Sequence, residues 1–165
     1  MDGNRAGQAL GWPAFTRLAT GLAADIAGDG TPQVLVGVLR GGMIPAVILA
    51  HLLGLRAVRA VEVTHTTADG VDAAKTDVPV VVRPDTLGDL AGMDVLIVDD
   101  IAGTGDTMTT TAALVRRAGA RRVRTVACVV NETNWRKART EQPGEVLTYV
   151  GTVVQGWVIF PWETR

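Results

Sequence analysis

Val95-Leu96-Ile97-Val98-Asp99-Asp100-Ile101-Ala102-Gly103-Thr104-Gly105-Asp106-Thr107 is the stretch that decides the fold. From Met93 to Val98 the chain is strongly apolar over a short run, which predicts a strand buried on both faces. It ends at Asp99 and Asp100, so two adjacent carboxylates reach the C-terminal end of a strand, where open α/β sheets place their ligands. A loop of small residues then enters a helix predicted over Thr107 to Ala118, with Met108, Ala112 and Val115 on one face and Gly119 after its end. Free N–H groups at a helix start and glycines that admit an anion close to the backbone make that loop a phosphate cradle. Thr104 and Thr107 add hydroxyl donors. Asp106 fits poorly beside a phosphate and is expected to point outward and cap the helix. The two carboxylates cannot bind phosphate, so they face hydroxyls, a metal, or both. A ribose 5-phosphate carries both kinds of group.

Working outward, Pro13 and the spacing of Phe15, Leu18, Leu22 and Ile26 predict a helix through Ala27. Gln33 to Leu39 reads as a buried strand broken by Gly41-Gly42, and Ile44 to Leu53 as a helix stopped by Gly54. Val58 to Val63, Val78 to Arg83 and Arg121 to Val130 are further strands. Thr64 to Asp77 is polar and aperiodic and reads as a long loop able to close over a site. Strands alternating with helices predict an α/β fold, a parallel twisted sheet flanked by helices with right-handed crossovers. A chain of 165 residues fits one domain spanning 1–165. Its net charge of -1 offers no pull towards nucleic acid or membrane. The single cysteine, Cys128, excludes an intramolecular disulfide and a cysteine-based zinc cage. The longest apolar run, 44–53, is far short of a bilayer span, and Met1 to Arg5 carry no apolar signal, so a cytoplasmic location is expected.

The Val95–Thr107 run resembles the signature by which type I phosphoribosyltransferases bind 5-phosphoribosyl 1-diphosphate (PRPP). Val36-Gly37-Val38-Leu39-Arg40-Gly41-Gly42-Met43-Ile44-Pro45 is similar to that family's pyrophosphate loop, where two glycines open the backbone and an arginine forks phosphate oxygens. Gly156-Trp157-Val158-Ile159-Phe160-Pro161-Trp162-Glu163 looks like the nucleobase hood of the xanthine–guanine and archaeal-type purine enzymes. The alternative for Phe160 and Trp162 is packing on the core or at a dimer interface. The resemblance runs from Trp12 to Glu163 and puts residues from about 144 to 165 in a small C-terminal hood.

The resemblance implies Asp99, Asp100 and Arg40 as catalytic, with Asp99 and Asp100 also holding Mg²⁺. Ala102, Gly103, Thr104, Gly105, Asp106 and Thr107 would bind the 5-phosphate. Leu39, Arg40, Gly41 and Gly42 would bind pyrophosphate, with a cis Leu39–Arg40 peptide. Trp157 would stack on the base, while Val158, Ile159 and Asn131 read its edge. A homodimer or homotetramer is implied too.

Two positions depart from the 6-oxopurine enzymes. Gly103 stands where that group has an Asp that exchanges a proton with base N7, and Asn131 where it has a Lys on O6. An Asn offers a donor and an acceptor and could read an amino group. The expectation is therefore a Mg²⁺-dependent phosphoribosyltransferase joining a heterocyclic base, not a standard 6-oxopurine, to C1 of PRPP. Proton removal would fall to Glu132, His65 or Glu62, or to a base acidic enough to need none. The alternative is a non-catalytic sensor of PRPP or a nucleotide. Arg116, Arg117, Arg121, Arg122 and Arg124 read as a solvated basic face, His51 as a packed histidine, and Cys128 as buried and inert.

Overall fold

A computed structural model describes residues 7–66 and 75–163, with the backbone alone at 65, 66 and 75–77. The strands are β1 (Gln8–Ala9), β2 (Val34–Leu39), β3 (Val58–Thr66), β4 (Lys75–Val81), β5 (Asp94–Ala102), β6 (Arg122–Asn131), β7 (Tyr149–Val154) and β8 (Val158–Ile159). The helices are α1 (Trp12–Gly28), α2 (Met43–Leu52), α3 (Asp106–Arg117), α4 (Glu132–Ala138) and α5 (Pro143–Val146), with one 3-10 turn at Pro84–Leu87. The main sheet has the order β4-β3-β2-β5-β6-β7, parallel from β3 to β7. This is the expected parallel sheet flanked by helices.

Alternation along β5 divides the core. Leu96 and Val98 join Phe15, Leu22 and Ile26 of α1 and Leu49 of α2 on one face. Val95 and Ile97 join Met108 and Val115 of α3 and Trp135 of α4 on the other. A strand covered on both faces needs apolar residues at every position, which is why this one was legible from hydrophobicity alone.

Four readings need correction. The sheet is not wholly parallel, because β4 runs antiparallel to β3 at the edge. Thr64 to Asp77 is not one loop, since β3 continues to Thr66 and β4 starts at Lys75; residues 67–74 lie outside the described residues. An edge hairpin keeps a face open to water and so lacks the apolar run that marks an interior strand. Arg124 is 1% exposed and forks Asp94, Nε to Oδ1 at 3.1 Å and Nη2 to Oδ2 at 2.9 Å, while the other four arginines of that group are exposed. His51 is exposed in the last turn of α2, not packed. Cys128 is buried, and burial pushes its thiol well above the ordinary range. No helix among the described residues is long and apolar enough to cross a membrane.

Candidate active site

β2 and β5 lie side by side from Val34–Val95 to Gly37–Val98. Beyond that register β2 turns through a cis Leu39–Arg40 peptide into Gly41 and Gly42, while β5 continues to Asp99 and Asp100. Gly42 has an ordinary φ of -65°, so its backbone would suit any residue. Its neighbours would not: a Cβ there would lie 2.5 Å from the Val98 carbonyl oxygen and 2.7 Å from that of Val38. A Cβ on Gly41 would overlap the Asp100 carboxylate. The glycine pair thus lets one loop lie against the acidic end of the neighbouring strand.

Asp99 Oδ1 accepts from the Asp100 N–H at 3.0 Å, and Asp100 Oδ1 from the Ile101 N–H at 2.8 Å. Burial raises the proton affinity of both carboxyls above the usual range; the charge of Asp100 adds to this at Asp99, and that of Glu163 at Asp100. Such a pair favours a partner that supplies positive charge or hydroxyl donors. Among the described residues no group of three or more His, Cys, Asp and Glu could by itself hold a metal. Two carboxylates completed by substrate oxygens do fit Mg²⁺, which commonly keeps one or two protein ligands beside substrate phosphates.

The loop after β5 enters α3 at Gly105, whose φ of 81° suits glycine and whose Cβ would lie 2.9 Å from the Trp135 ring. Asp106 does not cap α3, as was expected of it. Its Oδ2 accepts from the Thr104 hydroxyl at 2.8 Å, and its Oδ1 from Arg139 Nη2 at 2.8 Å. An ion pair satisfies this carboxylate better than exposed backbone N–H groups could.

The segment expected to form a hood pairs with the first described strand. β8 pairs in parallel with β1, and the carbonyls of Trp157 and Ile159 accept from Gln8 N–H and Leu10 N–H at 2.9 Å. The contribution of Gln8 and Leu10 was not foreseen, because two-residue strands carry no periodic signal. It also leaves the Ile159 carbonyl committed within the ribbon. Trp157 is 54% exposed, so much of its ring is open to solvent. Phe160 and Trp162 stack at 4.7 Å, and Trp162 meets Phe15 of α1 edge-on at 5.0 Å, so these two follow the core-packing alternative.

Comparison with known proteins agrees with this arrangement. The Phosphoribosyl transferase domain model matches residues 6–165. The chain belongs to the phosphoribosyltransferase family. It is 34% identical over 155 residues to a xanthine-guanine phosphoribosyltransferase of Gluconobacter oxydans, spanning 93% of this chain and 82% of that protein. It is 30% identical over 164 residues to one of a Ruegeria species, spanning 97% and 80%. The crystal structure of a purine phosphoribosyltransferase from Pyrococcus horikoshii superposes with a TM-score of 0.77 at 30% identity, covering 96% of this chain and 95% of that one.

Against that family frame, the residues on the base side depart from expectation. Asn131 is buried at the end of β6, and its Oδ1 accepts from the Asn134 N–H at 3.2 Å as the cap of α4. Capping occupies one lone pair of that oxygen, so Asn131 keeps a second acceptor position and its Nδ2 donors for another partner. Glu132 is engaged by Arg136 Nη2 at 2.5 Å, which competes with any role as a proton acceptor. Glu62 pairs in register with Leu39 and is exposed beside the glycine loop. The side chain of His65 lies outside the described residues.

The sequence reading missed α4 and what it carries. Asn134 flanks Gly103, Trp135 flanks Gly105, and Arg139 reaches Thr104 and Asp106. An Asn cap followed by Trp135 and Arg139 four apart was the available signal. Glu163, placed near Asp100 by the chain's C-terminal turn, was also missed.

Proposed function

We propose that this chain transfers the 5-phosphoribosyl group of PRPP to a nitrogen of a heterocyclic base, releasing pyrophosphate, with Mg²⁺ as cofactor. The observation that carries the reading is the abutment of Gly41 on the Asp100 carboxylate, which sets an anion-accepting loop against a carboxylate pair. In this reading the N–H groups of Gly103 to Thr107 hold the 5-phosphate, remote binding energy that positions C1. Leu39 to Gly42 receive the leaving pyrophosphate, with the Arg40 guanidinium free to fork its oxygens. Asp99 and Asp100 hold the ribose hydroxyls and would ligate the metal. Their negative charge lies where positive charge develops on the ribose ring. Mg²⁺, when bound, would neutralise pyrophosphate oxygens and make that group easier to expel. Trp157 offers its exposed face to the base, with the Val158 backbone at the edge.

The acceptor we propose is not an ordinary 6-oxopurine. A Lys on O6 and an Asp at N7 are charge-assisted contacts worth roughly 1.5–3 kcal/mol each. Neither charge is present at Asn131 or Gly103, a deficit of about 3–6 kcal/mol, or two to four decades. Asn131 Oδ1 caps α4 with one lone pair, and its second lone pair and Nδ2 leave it able to read an amino-bearing base. The test is pyrophosphate release from PRPP and Mg²⁺ across purine, pyrimidine and other heterocyclic bases. Release with at least one base, and kcat/KM for guanine or hypoxanthine below about 10⁵ M⁻¹s⁻¹, is expected. Gly103, which lacks a proton-transferring side chain, favours a sensor as the second reading. Tight PRPP binding without release from any base would establish that instead.

We also propose a homodimer or homotetramer. Val78, Val80 and Val82 are all exposed at alternate positions along and just beyond edge strand β4, an apolar row that isolated chains rarely leave open. Sedimentation at micromolar concentration should show a species larger than the 17.3 kDa chain.

A further inference from the structure

Asp106 stands in a loop otherwise made of small and hydroxyl residues, and a bare carboxylate there would repel a phosphate. A residue more than thirty positions away meets it. Arg139, just past α4, donates from Nη2 to Asp106 Oδ1 at 2.8 Å and to Thr109 Oγ1 at 3.3 Å, and from Nε to the Thr104 carbonyl. Its guanidinium carbon lies 5.7 Å from the Trp135 ring centroid, and its side chain is 18% exposed. Trp135 is itself fixed, 2% exposed with Nε1 donating to the Glu141 carbonyl at 2.8 Å. The helix that carries this group is capped by Asn131.

The Thr104 carbonyl adds a geometric consequence. In a trans peptide the C=O and the following N–H point in opposite directions. Holding the Thr104 oxygen on Arg139 therefore turns the Gly105 N–H away from the guanidinium. The same arginine cancels the loop's one negative charge and fixes the orientation of one of its N–H donors.

We propose that Arg139 is a positioning residue for PRPP, acting through Asp106 and the Thr104 carbonyl to keep the 102–107 loop competent for the 5-phosphate. This rests on the reading of that loop as the phosphate site. Arg139 is then required because Asp106 is present, and its removal exposes a like charge to the ligand.

Calorimetric titration of the 165-residue chain with PRPP and Mg²⁺ tests this in four proteins: wild type, Arg139→Ala, Asp106→Asn and the double variant. Arg139→Ala should weaken PRPP binding about ten- to hundredfold, the scale of one charge-assisted contact. The double variant should bind at least severalfold tighter than Arg139→Ala, with Asp106→Asn alone completing the cycle. That rescue separates charge masking from simple loss of packing, which a second substitution would not repair. If Arg139→Ala does not fold, Arg139→Gln with and without Asp106→Asn carries the same comparison, the glutamine keeping a long side chain to pack but losing the charge. Arg139→Ala binding PRPP as wild type does, or a double variant no better than the single, overturns the inference while leaving the phosphate-site reading intact. Wild-type protein that binds no PRPP overturns both.

Discussion

Gly41 and Gly42 are adjacent, yet a methyl group would meet different things at each. At Gly42 it meets two backbone carbonyls at 2.5 and 2.7 Å, neither of which can move without parting β2 from β5. At Gly41 it meets the end of one side chain, the Asp100 carboxylate, which can rotate. Gly42→Ala should therefore lose about 1–3 kcal/mol of stability, the usual cost of overpacking, read as a lowered urea midpoint. Gly41→Ala should keep its midpoint within about 0.5 kcal/mol, as substitutions outside the core do, and lose activity by displacing Asp100.

Asp100 itself separates activity from stability. Its folded-state proton affinity is raised by burial and by Glu163, so between the unfolded and folded pKa the native chain binds more protons than the unfolded one. Stability contributed by this group is then present below the unfolded value of about 4 and falls as pH rises through the folded value. Asp100→Asn removes that liability. Its thermal midpoint in Mg²⁺-free, PRPP-free buffer should exceed that of wild type at neutral pH, with the gap closing as pH falls towards about 4. Its kcat/KM should drop at least tenfold, about 1.4 kcal/mol. A loss within threefold would remove Asp100 from the ribose site.

At the scale of elements, the junction of β6 with α4 decides what a base-specificity variant can show. A Cβ on Gly103 would lie 3.7 Å from Asn134 Nδ2, ordinary contact, so Gly103→Asp is sterically admissible. Asn131→Lys would instead remove the cap of α4, a loss of about 1 kcal/mol, and loosen Trp135 and Arg139 against the loop. Gly103→Asp alone should thus raise kcat/KM for hypoxanthine by about tenfold or more. Asn131→Lys should weaken PRPP binding as well as alter base choice. A gain from Asn131→Lys with unchanged PRPP affinity would contradict the linkage between cap and loop. The same junction shows what the sequence made legible. β5, its two acids and the glycines of both loops were readable because burial on two faces and close backbone approach leave composition no freedom. The cap that Asn131 gives α4 was not foreseen, because one side chain can cap a helix and face a ligand and spacing alone does not separate the two roles. Arg139 was invisible because its partner is 33 residues away, a contact that no local pattern encodes.

Across the whole molecule, the sheet carries its unfavourable charges at one end and its stabilising ones at the other. At the N-terminal end of β5, Asp94 is forked by buried Arg124. Arg124 Nη1 donates to the Tyr149 hydroxyl at 3.2 Å, and that hydroxyl donates to Asp29 at 2.8 Å, tying β5, β6, β7 and the end of α1 together. Asp94→Ala leaves Arg124 buried without its counter-ion, which costs about 3–5 kcal/mol. For a chain of this size that is a fall of roughly 6–20 °C in Tm. Asp99 lies five residue steps along the extended strand from Asp94, about 17 Å, well beyond the range over which substitutions couple. The Kd for PRPP should therefore stay within about twofold of wild type in Asp94→Ala measured below its melting point. The stability effects of Asp94→Ala and Asp100→Asn, of opposite sign, should add to within about 0.5 kcal/mol. Thermal and urea unfolding of both single variants and their combination would measure this. A PRPP affinity that falls with Asp94→Ala, or a combined effect far from the sum, would mean that the two ends of the sheet are not independent.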